Sequence, residues 1–241
     1  MDQSIYSTSF VAVLALPHAV KKALASLYLA NYDASNEALF FHDLHEKDEV
    51  LLVYAASELV GFTAVSVFER AWQGRRIRVV YSGDTVVDRE HWGHQALAIA
   101  WIGKMGALKR DCPEIPMYWF LLVKGHRTFR YLPVFGKSFY PHWSVDRSDL
   151  KPLADSLAME RFPGDYNPAT GVVEFRQSRG HLKPDLALPS LQDLDKEGVR
   201  FFLERNPGFQ RGHELVCVCE IETHNMKPLT LRLFRRSLHA G

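Results

Sequence analysis

Hydrophobic and polar positions divide the first 141 residues into closely spaced helical and strand-like stretches. Apolar side chains recur every three or four residues from Pro17 to Tyr32, which predicts a helix, and residues 34–48 predict a second one. Three stretches rich in valine and aromatic residues then predict strands, the last from Ile77 to Val87. The predicted order is helix, helix, three strands, helix, strand, helix.

The strand and helix order predicts the fold class. Consecutive strands joined by short turns pair antiparallel, whereas the strand, helix and strand within residues 77–123 require a crossover and a parallel pair. We therefore predict an α/β fold with a mixed, mostly antiparallel central sheet, a splayed parallel strand pair and flanking helices. Ligands favour such an opening near the carboxyl ends of strands.

The last hundred residues have a less regular pattern. Residues 148–162 predict a helix capped by Ser148, and residues 213–221 predict a strand that sends Cys217 and Cys219 to one buried face. No linker separates this region from the rest. We predict a ligand-binding core in residues 1–141 and an extension in residues 142–241 that completes the sheet and covers the cleft.

Composition excludes several classes of protein. A hydrophobic fraction of 47% with 24% charged residues is that of an ordinary globular protein. The formal net charge of +1 gives no reason to expect a nucleic-acid partner. The chain begins with a short apolar run that predicts neither a signal peptide nor a membrane span, and three cysteines without metal spacing favour a reducing cytoplasm.

The stretch "TVVDREHWGHQAL", residues 85–97, joins the third strand to the long helix. Unpaired N–H groups at a helix start, together with the positive end of the helix dipole, favour an anion. His91 and His94 are three residues apart, but no Cys, Asp or His completes a zinc set, so we expect no metal. His94 is expected near the anion, and a solvated loop histidine is the alternative.

The order of elements and the turn "VVDREHWGHQAL" resemble the GCN5-related N-acetyltransferase superfamily over residues 10–141. This resemblance implies that acetyl-CoA or a longer acyl-CoA binds here, with its pyrophosphate on the turn and its pantetheine arm along the preceding strand. The implied contacts are Val86, Val87, Trp92, Gly93, His94, Gln95 and Ala96. The sequence departs from the family pattern at Trp92, where a basic residue is usual, and at Gln95 and Leu97, where small residues are expected.

Amine acylation requires a neutral nitrogen, a polarised carbonyl and a proton donor for the departing thiolate. The resemblance places the donor on the helix after the strand at residues 117–123, where Tyr131 fits; a packed aromatic residue is the alternative. Strand alternation puts Tyr81, Gly83 and Thr85 on one face, and Ser82 with Asp84 on the other. A carboxylate inside an apolar strand is costly unless it reaches a cleft.

Asp84 is therefore the predicted general base, and a structural Asp that braces a loop is the alternative. Lys124, Arg127 and Arg130 recur every three residues and predict a basic face. Arg127 is expected to contact the adenosine phosphates of CoA, or the acidic surface of an acyl carrier protein. The alternative is a solvent-exposed basic face without a binding role.

The resemblance, together with these residues, implies an N-acyltransferase that moves an acyl group from acyl-CoA, or from an acyl carrier protein, to a small-molecule amine by direct attack. The alternative is a non-catalytic relative that keeps the fold as an acyl-CoA sensor or a partner-binding module. The departures at Trp92, Gln95 and Leu97 favour that alternative.

Overall fold

The computed structural model describes residues 5–238, and a single large sheet runs through this part of the chain. Its strands lie in the order β1, β3, β4, β5, β6, β10, β8, β7, and β2 pairs separately with β9. The strands are β1 (Tyr6–Ala12), β2 (Tyr32–Asp33), β3 (Glu49–Ala55), β4 (Glu58–Trp72), β5 (Arg75–Val87), β6 (Met117–Val123), β7 (Tyr166–Asn167), β8 (Val172–Val173), β9 (His181–Leu182) and β10 (Glu214–Glu220).

Helices cover both faces of the sheet. The helices are α1 (His18–Asn31), α2 (Glu37–His45), α3 (Ala96–Asp111), α4 (His126–Phe129), α5 (Tyr131–Phe135), α6 (Lys151–Arg161), α7 (Pro184–Ala187), α8 (Leu191–Leu194), α9 (Glu197–Arg205) and α10 (Pro228–Leu238). Within residues 5–238, none of them has the length and apolar character needed to cross a membrane.

The start of α2 is capped by a side chain, and two later helices differ from the sequence prediction. Asn36 caps α2 by accepting a hydrogen bond of 2.9 Å from the Leu39 amide. The predicted cap at Ser148 is wrong: its side chain makes no capping bond, and α6 begins at Lys151. The helix-like stretch after residue 125 is divided into α4 and α5, and α5 ends before Gly136.

Alternation along the strands assigns each face of the sheet to different helices. Leu51 and Val53 of β3 pack in one core cluster with Trp101 of α3. Their neighbours Val50 and Leu52 pack in another cluster with residues of α1 and α2. A third cluster packs α6 against β5, β6 and β10, on the same face of the sheet as α1 and α2.

The predicted fold class is confirmed by the sheet. In the large sheet every neighbouring pair of described strands is antiparallel except β5 and β6, which pair in parallel from Arg78 with Met117 to Ser82 with Leu121. Beyond Ser82, β5 continues to pair with β4 as far as Val87, while β6 continues to pair with β10. The two parallel strands therefore separate at their carboxyl ends.

Residues after 141 contribute to the same sheet. Strand β10 pairs with β6 along its length, and α10 packs against α3. Cys217 and Cys219 of β10 are both fully buried, as their alternation predicts. The division of the chain into a core at residues 1–141 and an extension at residues 142–241 stays a prediction.

Candidate functional site

A bulge in β5 lies where the two parallel strands separate. Asp84 has a positive φ of 45°, and the pairing of β4 with β5 shifts register between Phe62 and Ala64. The inserted residue changes the alternation: Tyr81 and Val86 pack against the helices of the same face, although they are five residues apart. The predicted assignment of faces holds for Tyr81, Ser82 and Gly83 but is wrong for Asp84 and Thr85, because it assumed an unbroken period of two.

The bulge places Asp84 in a cleft on the face covered by α1, α2 and α6. This cleft has a volume of about 530 Å³ and is lined from α2, from the ends of β5 and β6, from the end of α6 and from the loop after β8. Its charged lining residues are Asp43, Glu46, Lys47, Asp84, Lys124, Glu160, Arg161, Arg179 and Glu214.

Some of these charges are paired and others are not. Lys124 lies 3.1 Å from Glu214, and Glu160 lies 2.7 Å from Arg70. Lys47 is buried and its ammonium donates only to the backbone oxygen of Asp43, at 3.0 Å, among the described residues. Burial lowers the pKa of Lys47, and burial followed by the nearby charge of Asp84 raises the pKa of Asp43.

A second, apolar space lies on the opposite face of the sheet, between α3 and α5. This crevice has a volume of about 40 Å³ and is lined chiefly by Leu97, Ala98, Trp101, Ile102, Val134 and Phe135. The indole N–H of Trp101 is buried and has no hydrogen-bond partner in the described structure. A buried donor without an acceptor is costly, so a ligand carbonyl in this crevice would be stabilised by it.

The cleft and the crevice meet at the splayed strands. Four residues line both spaces: Ser82, Thr85, Trp119 and Tyr131. Ser82 accepts a hydrogen bond of 2.6 Å from the Trp119 indole, and the hydroxyls of Thr85 and Thr63 lie 2.8 Å apart. These bonds hold the side chains around the opening in fixed positions.

Tyr131, the predicted proton donor, therefore lies at the junction of the two spaces. Burial raises the pKa of its phenol above the ordinary value. The phenol is then protonated at neutral pH, which is the state that a general acid requires. Sequence reasoning placed Tyr131 on one long helix, whereas it is the first residue of the short helix α5.

The turn before α3 leaves several amides free. Gly93 has φ of +92° with open space around its Cα, a conformation that L side chains rarely adopt. The amides of Gly93, His94 and Gln95 have no hydrogen-bond partner within residues 5–238, whereas the Ala96 amide donates to His94 Nδ1 at 3.2 Å. Free amides at the start of a long helix can hold a diphosphate.

The histidines of the turn are packed against β1. The His94 ring stacks on Tyr6, with centroids 4.3 Å apart, and the hydroxyl of Tyr6 lies 3.0 Å from His91 Nδ1. Burial lowers the pKa of His94, which favours its neutral form. Among the described residues no group of three or more His, Cys, Asp and Glu is arranged to hold a metal ion.

Other predicted donor contacts are already engaged within the protein. The Trp92 indole donates to the backbone oxygen of Val87 at 2.9 Å, and the Arg127 guanidinium lies 4.6 Å from the centroid of the Trp92 ring. Arg127 also donates to the backbone oxygen of Leu186. The region of α7 thus packs over the turn, a contact that sequence reasoning missed because its residues are almost sixty positions apart.

The strand before the turn retains an unpaired edge. Val86 is buried against the α1 and α2 face, so its side chain points away from the crevice. The backbone from Gly83 to Val87 follows β4 but has no strand partner on the β6 side within the described residues, where the Val87 oxygen accepts from the Trp92 indole. Backbone groups on this edge are available to a ligand that enters between the strands.

No family model and no curated protein matches the chain. An Enterococcus faecalis protein, described as a probable N-acyltransferase of unknown function, is 12% identical over 64% of this chain and 43% of its own length, with a TM-score of 0.41. A GCN5-related N-acetyltransferase from Kribbella flavida is 15% identical over 58% of this chain and 36% of its own, with a TM-score of 0.38.

An Escherichia coli N-acetyltransferase of the same superfamily, solved in complex with CoA, is 17% identical over 54% of this chain and 70% of its own, with a TM-score of 0.38. The chain spans less than half the length of the first two structures. Likeness at this level assigns no activity by itself. Two of these three structures are described as members of the GCN5-related N-acetyltransferase superfamily.

Proposed function

We propose that the protein is an N-acyltransferase that moves an acyl group from acyl-CoA to the amine of a small molecule by direct attack. One observation carries this proposal: the residues at the splay, including Tyr131, line both an apolar crevice and a polar cleft. A thioester that enters from one face of the sheet can then meet an amine that enters from the other.

The donor side is assigned to the crevice and the turn before α3. In this proposal the free amides at Gly93, His94 and Gln95 hold the diphosphate, and the pantetheine arm lies along the unpaired edge of β5. The Trp101 N–H is a donor for a carbonyl of the arm or of the thioester. For Ala96 to join the diphosphate contacts, His94 must give up its hydrogen bond to the Ala96 amide.

The acceptor side is assigned to the cleft, where Asp84 and Tyr131 have complementary roles. The amine loses its extra proton to solvent before it attacks, and Asp84 accepts the second proton, which the nitrogen loses as the amide forms. The nitrogen forms the new C–N bond, the C–S bond breaks, and the departing thiolate takes the proton of the Tyr131 hydroxyl. Solvent in the cleft returns the proton from Asp84 to the phenolate, so no covalent enzyme intermediate is needed.

CoA is the donor in this proposal, and an acyl carrier protein is the alternative. Arg89 and Arg130 are the exposed arginines beside the turn, and they already lie 3.4 Å from Asp185 and 3.8 Å from Asp193. Their charges are therefore partly neutralised within the chain. This pairing weakens the surface that an acidic carrier protein would use. A cytoplasmic location remains part of the proposal.

The test combines binding and turnover. The protein is incubated with acyl-CoAs of increasing chain length and a panel of primary amines, and both the melting temperature and the release of free thiol are followed. We expect at least one acyl-CoA to stabilise the protein and to release thiol only when an amine is present. Stabilisation without thiol release would support the non-catalytic sensor instead, and no stabilisation by any thioester would exclude the CoA assignment.

A further inference from the structure

We propose that the acceptor carries an anionic group, a carboxylate or a phosphate, in addition to its amine, and that Lys47 and Arg161 bind this group in the cleft. This inference rests on the proposed function, because it assigns the cleft to the acceptor.

Both cations lie against one aromatic ring. The Arg161 guanidinium is 4.3 Å and the Lys47 ammonium 5.1 Å from the centroid of the Tyr81 ring. Within residues 5–238, no carboxylate lies within 4.0 Å of either cation. The ring contacts both cations and the Asp43 carbonyl accepts from Lys47, and neither of these contacts carries a counter-charge. Two cations that lie against the same ring and have no described carboxylate within 4.0 Å form a preorganised site for an anion.

The position of Lys47 connects this site to the proposed base. A Cβ at Gly83 would lie 3.3 Å from Lys47 Cε and 3.4 Å from the Tyr81 hydroxyl oxygen, so the lysine side chain passes over Gly83. The next residue in the strand is Asp84. A short acceptor that places its anion at this site can therefore bring its amine close to Asp84.

The other unpaired charges of the cleft agree with such an acceptor. In the described structure, three lining cations have no carboxylate within 4.0 Å, and three lining carboxylates have no cation within that distance. The cations are Lys47, Arg161 and Arg179, and the carboxylates are Asp43, Glu46 and Asp84. A balanced set of unpaired charges complements a molecule that carries both an amine and an anion better than it complements a polyamine.

The test measures binding to the whole protein without any acyl donor. Three probes share the same aminoethyl unit: ethylamine, β-alanine with an added carboxylate, and phosphoethanolamine with an added phosphate. We expect at least one anionic probe to bind about tenfold more tightly than ethylamine, which corresponds to one charge-assisted contact. The probe with the stronger preference identifies the anion as carboxylate or phosphate.

Two variants and one control test whether Lys47 and Arg161 cause the preference for an anionic probe over ethylamine. Arg161→Gln and Lys47→Met should each reduce the preference for the anionic probe, and Lys47→Met keeps the length of a buried side chain. Arg176→Gln is the matched control, because Arg176 is exposed and does not line the cleft. Melting curves with an unchanged midpoint show that each variant is folded.

Equal affinity for all three probes, no binding of any probe, or a preference unchanged in both folded variants would overturn the inference. Failure of the proposed function has a different signature. An intact anion preference with no thiol release from any acyl-CoA would show that the cleft binds an anionic amine but that no acyl transfer occurs.

Discussion

The cleft and the crevice share four lining residues, yet their other walls differ in size and in polarity. The cleft has a volume of about 530 Å³ and carries charged residues from α2, α6 and the loop after β8. The crevice has a volume of about 40 Å³ and is lined by leucine, isoleucine, tryptophan and phenylalanine side chains from α3 and α5. In the proposed function an amine arrives charged and hydrated, whereas the acyl end of an acyl-CoA is weakly polar, so the amine is assigned to the cleft and the acyl end to the crevice.

One bulge in β5 separates the polar cleft from the apolar crevice. Because Asp84 lies in the bulge of β5, it lines only the cleft, whereas Ser82 and Thr85 line both the cleft and the crevice. A regular strand would have placed Ser82 and Asp84 on the same face. The positive φ of Asp84 costs on the order of 1–3 kcal/mol, which is typical of a position held for function.

The largest expected effect is that of a change at the junction. Tyr131→Phe removes the hydroxyl and keeps the ring, so kcat should fall by about 10²–10⁴-fold while the affinities for CoA and for the amine change little. Steady-state kinetics and two separate binding titrations measure this split. An undiminished kcat would show that Tyr131 only packs between the two spaces.

A smaller effect is expected on the donor side alone. Gly93→Val forces a β-branched residue into φ of +92°, which should displace the turn amides and weaken CoA binding by roughly 10–100-fold. Gly74→Val is the matched control, since Gly74 also has positive φ and open space but lies at the tip between β4 and β5. Calorimetric titration with CoA should distinguish the two variants, although both lose some stability. Equal CoA affinities in the two variants would contradict the assignment of the turn.

The smallest expected effect is on stability, and it concerns α4, the helix that also carries Arg127. His126 of α4 is 1% exposed, and within residues 5–238 its ring nitrogens have no hydrogen-bond partner, although the Asp193 carboxylate lies 3.9 Å from Nε2. Burial, followed by the nearby charge of Arg127, lowers its pKa to about 4. Between that value and its ordinary pKa near 6.5, the unfolded chain binds more protons than the folded one. The free energy of unfolding should therefore decrease as the pH falls through this window.

His126→Leu removes the titrating group and fills a similar space without needing hydrogen bonds. Its melting temperature should depend less on pH between about 6.5 and 4 than that of the parent protein, by a few degrees. Identical slopes in the two proteins over this range would show that His126 does not titrate as its burial implies.

The sequence allowed the fold class and the opening in the sheet to be predicted. Local periodicity identifies the strands, and a crossover helix between two of them requires a parallel pair. The bulge at Asp84 could not be predicted in the same way, because one left-handed residue leaves the hydrophobic pattern around it almost unchanged. Asp84 was still identified as a candidate, because a carboxylate in an apolar strand must reach a cleft or a partner.

Contacts between distant parts of the chain were not predictable. Lys47 and Arg161 meet at the Tyr81 ring although more than a hundred residues separate them, and neither follows a motif. Arg127 was identified from its local spacing, but its contact with Leu186 depends on how α7 packs over the turn. The charge pattern of the cleft is therefore a property of the tertiary structure.

A crystal structure of the protein with bound CoA tests the central claim most directly, because it shows which side of the sheet receives the donor. We predict a diphosphate on the amides of Gly93, His94 and Gln95, a pantetheine arm along the free edge of β5, and a thiol within hydrogen-bond reach of the Tyr131 hydroxyl. A diphosphate held instead by Lys47 and Arg161 in the cleft would contradict the account, because the charged side would then be the donor site.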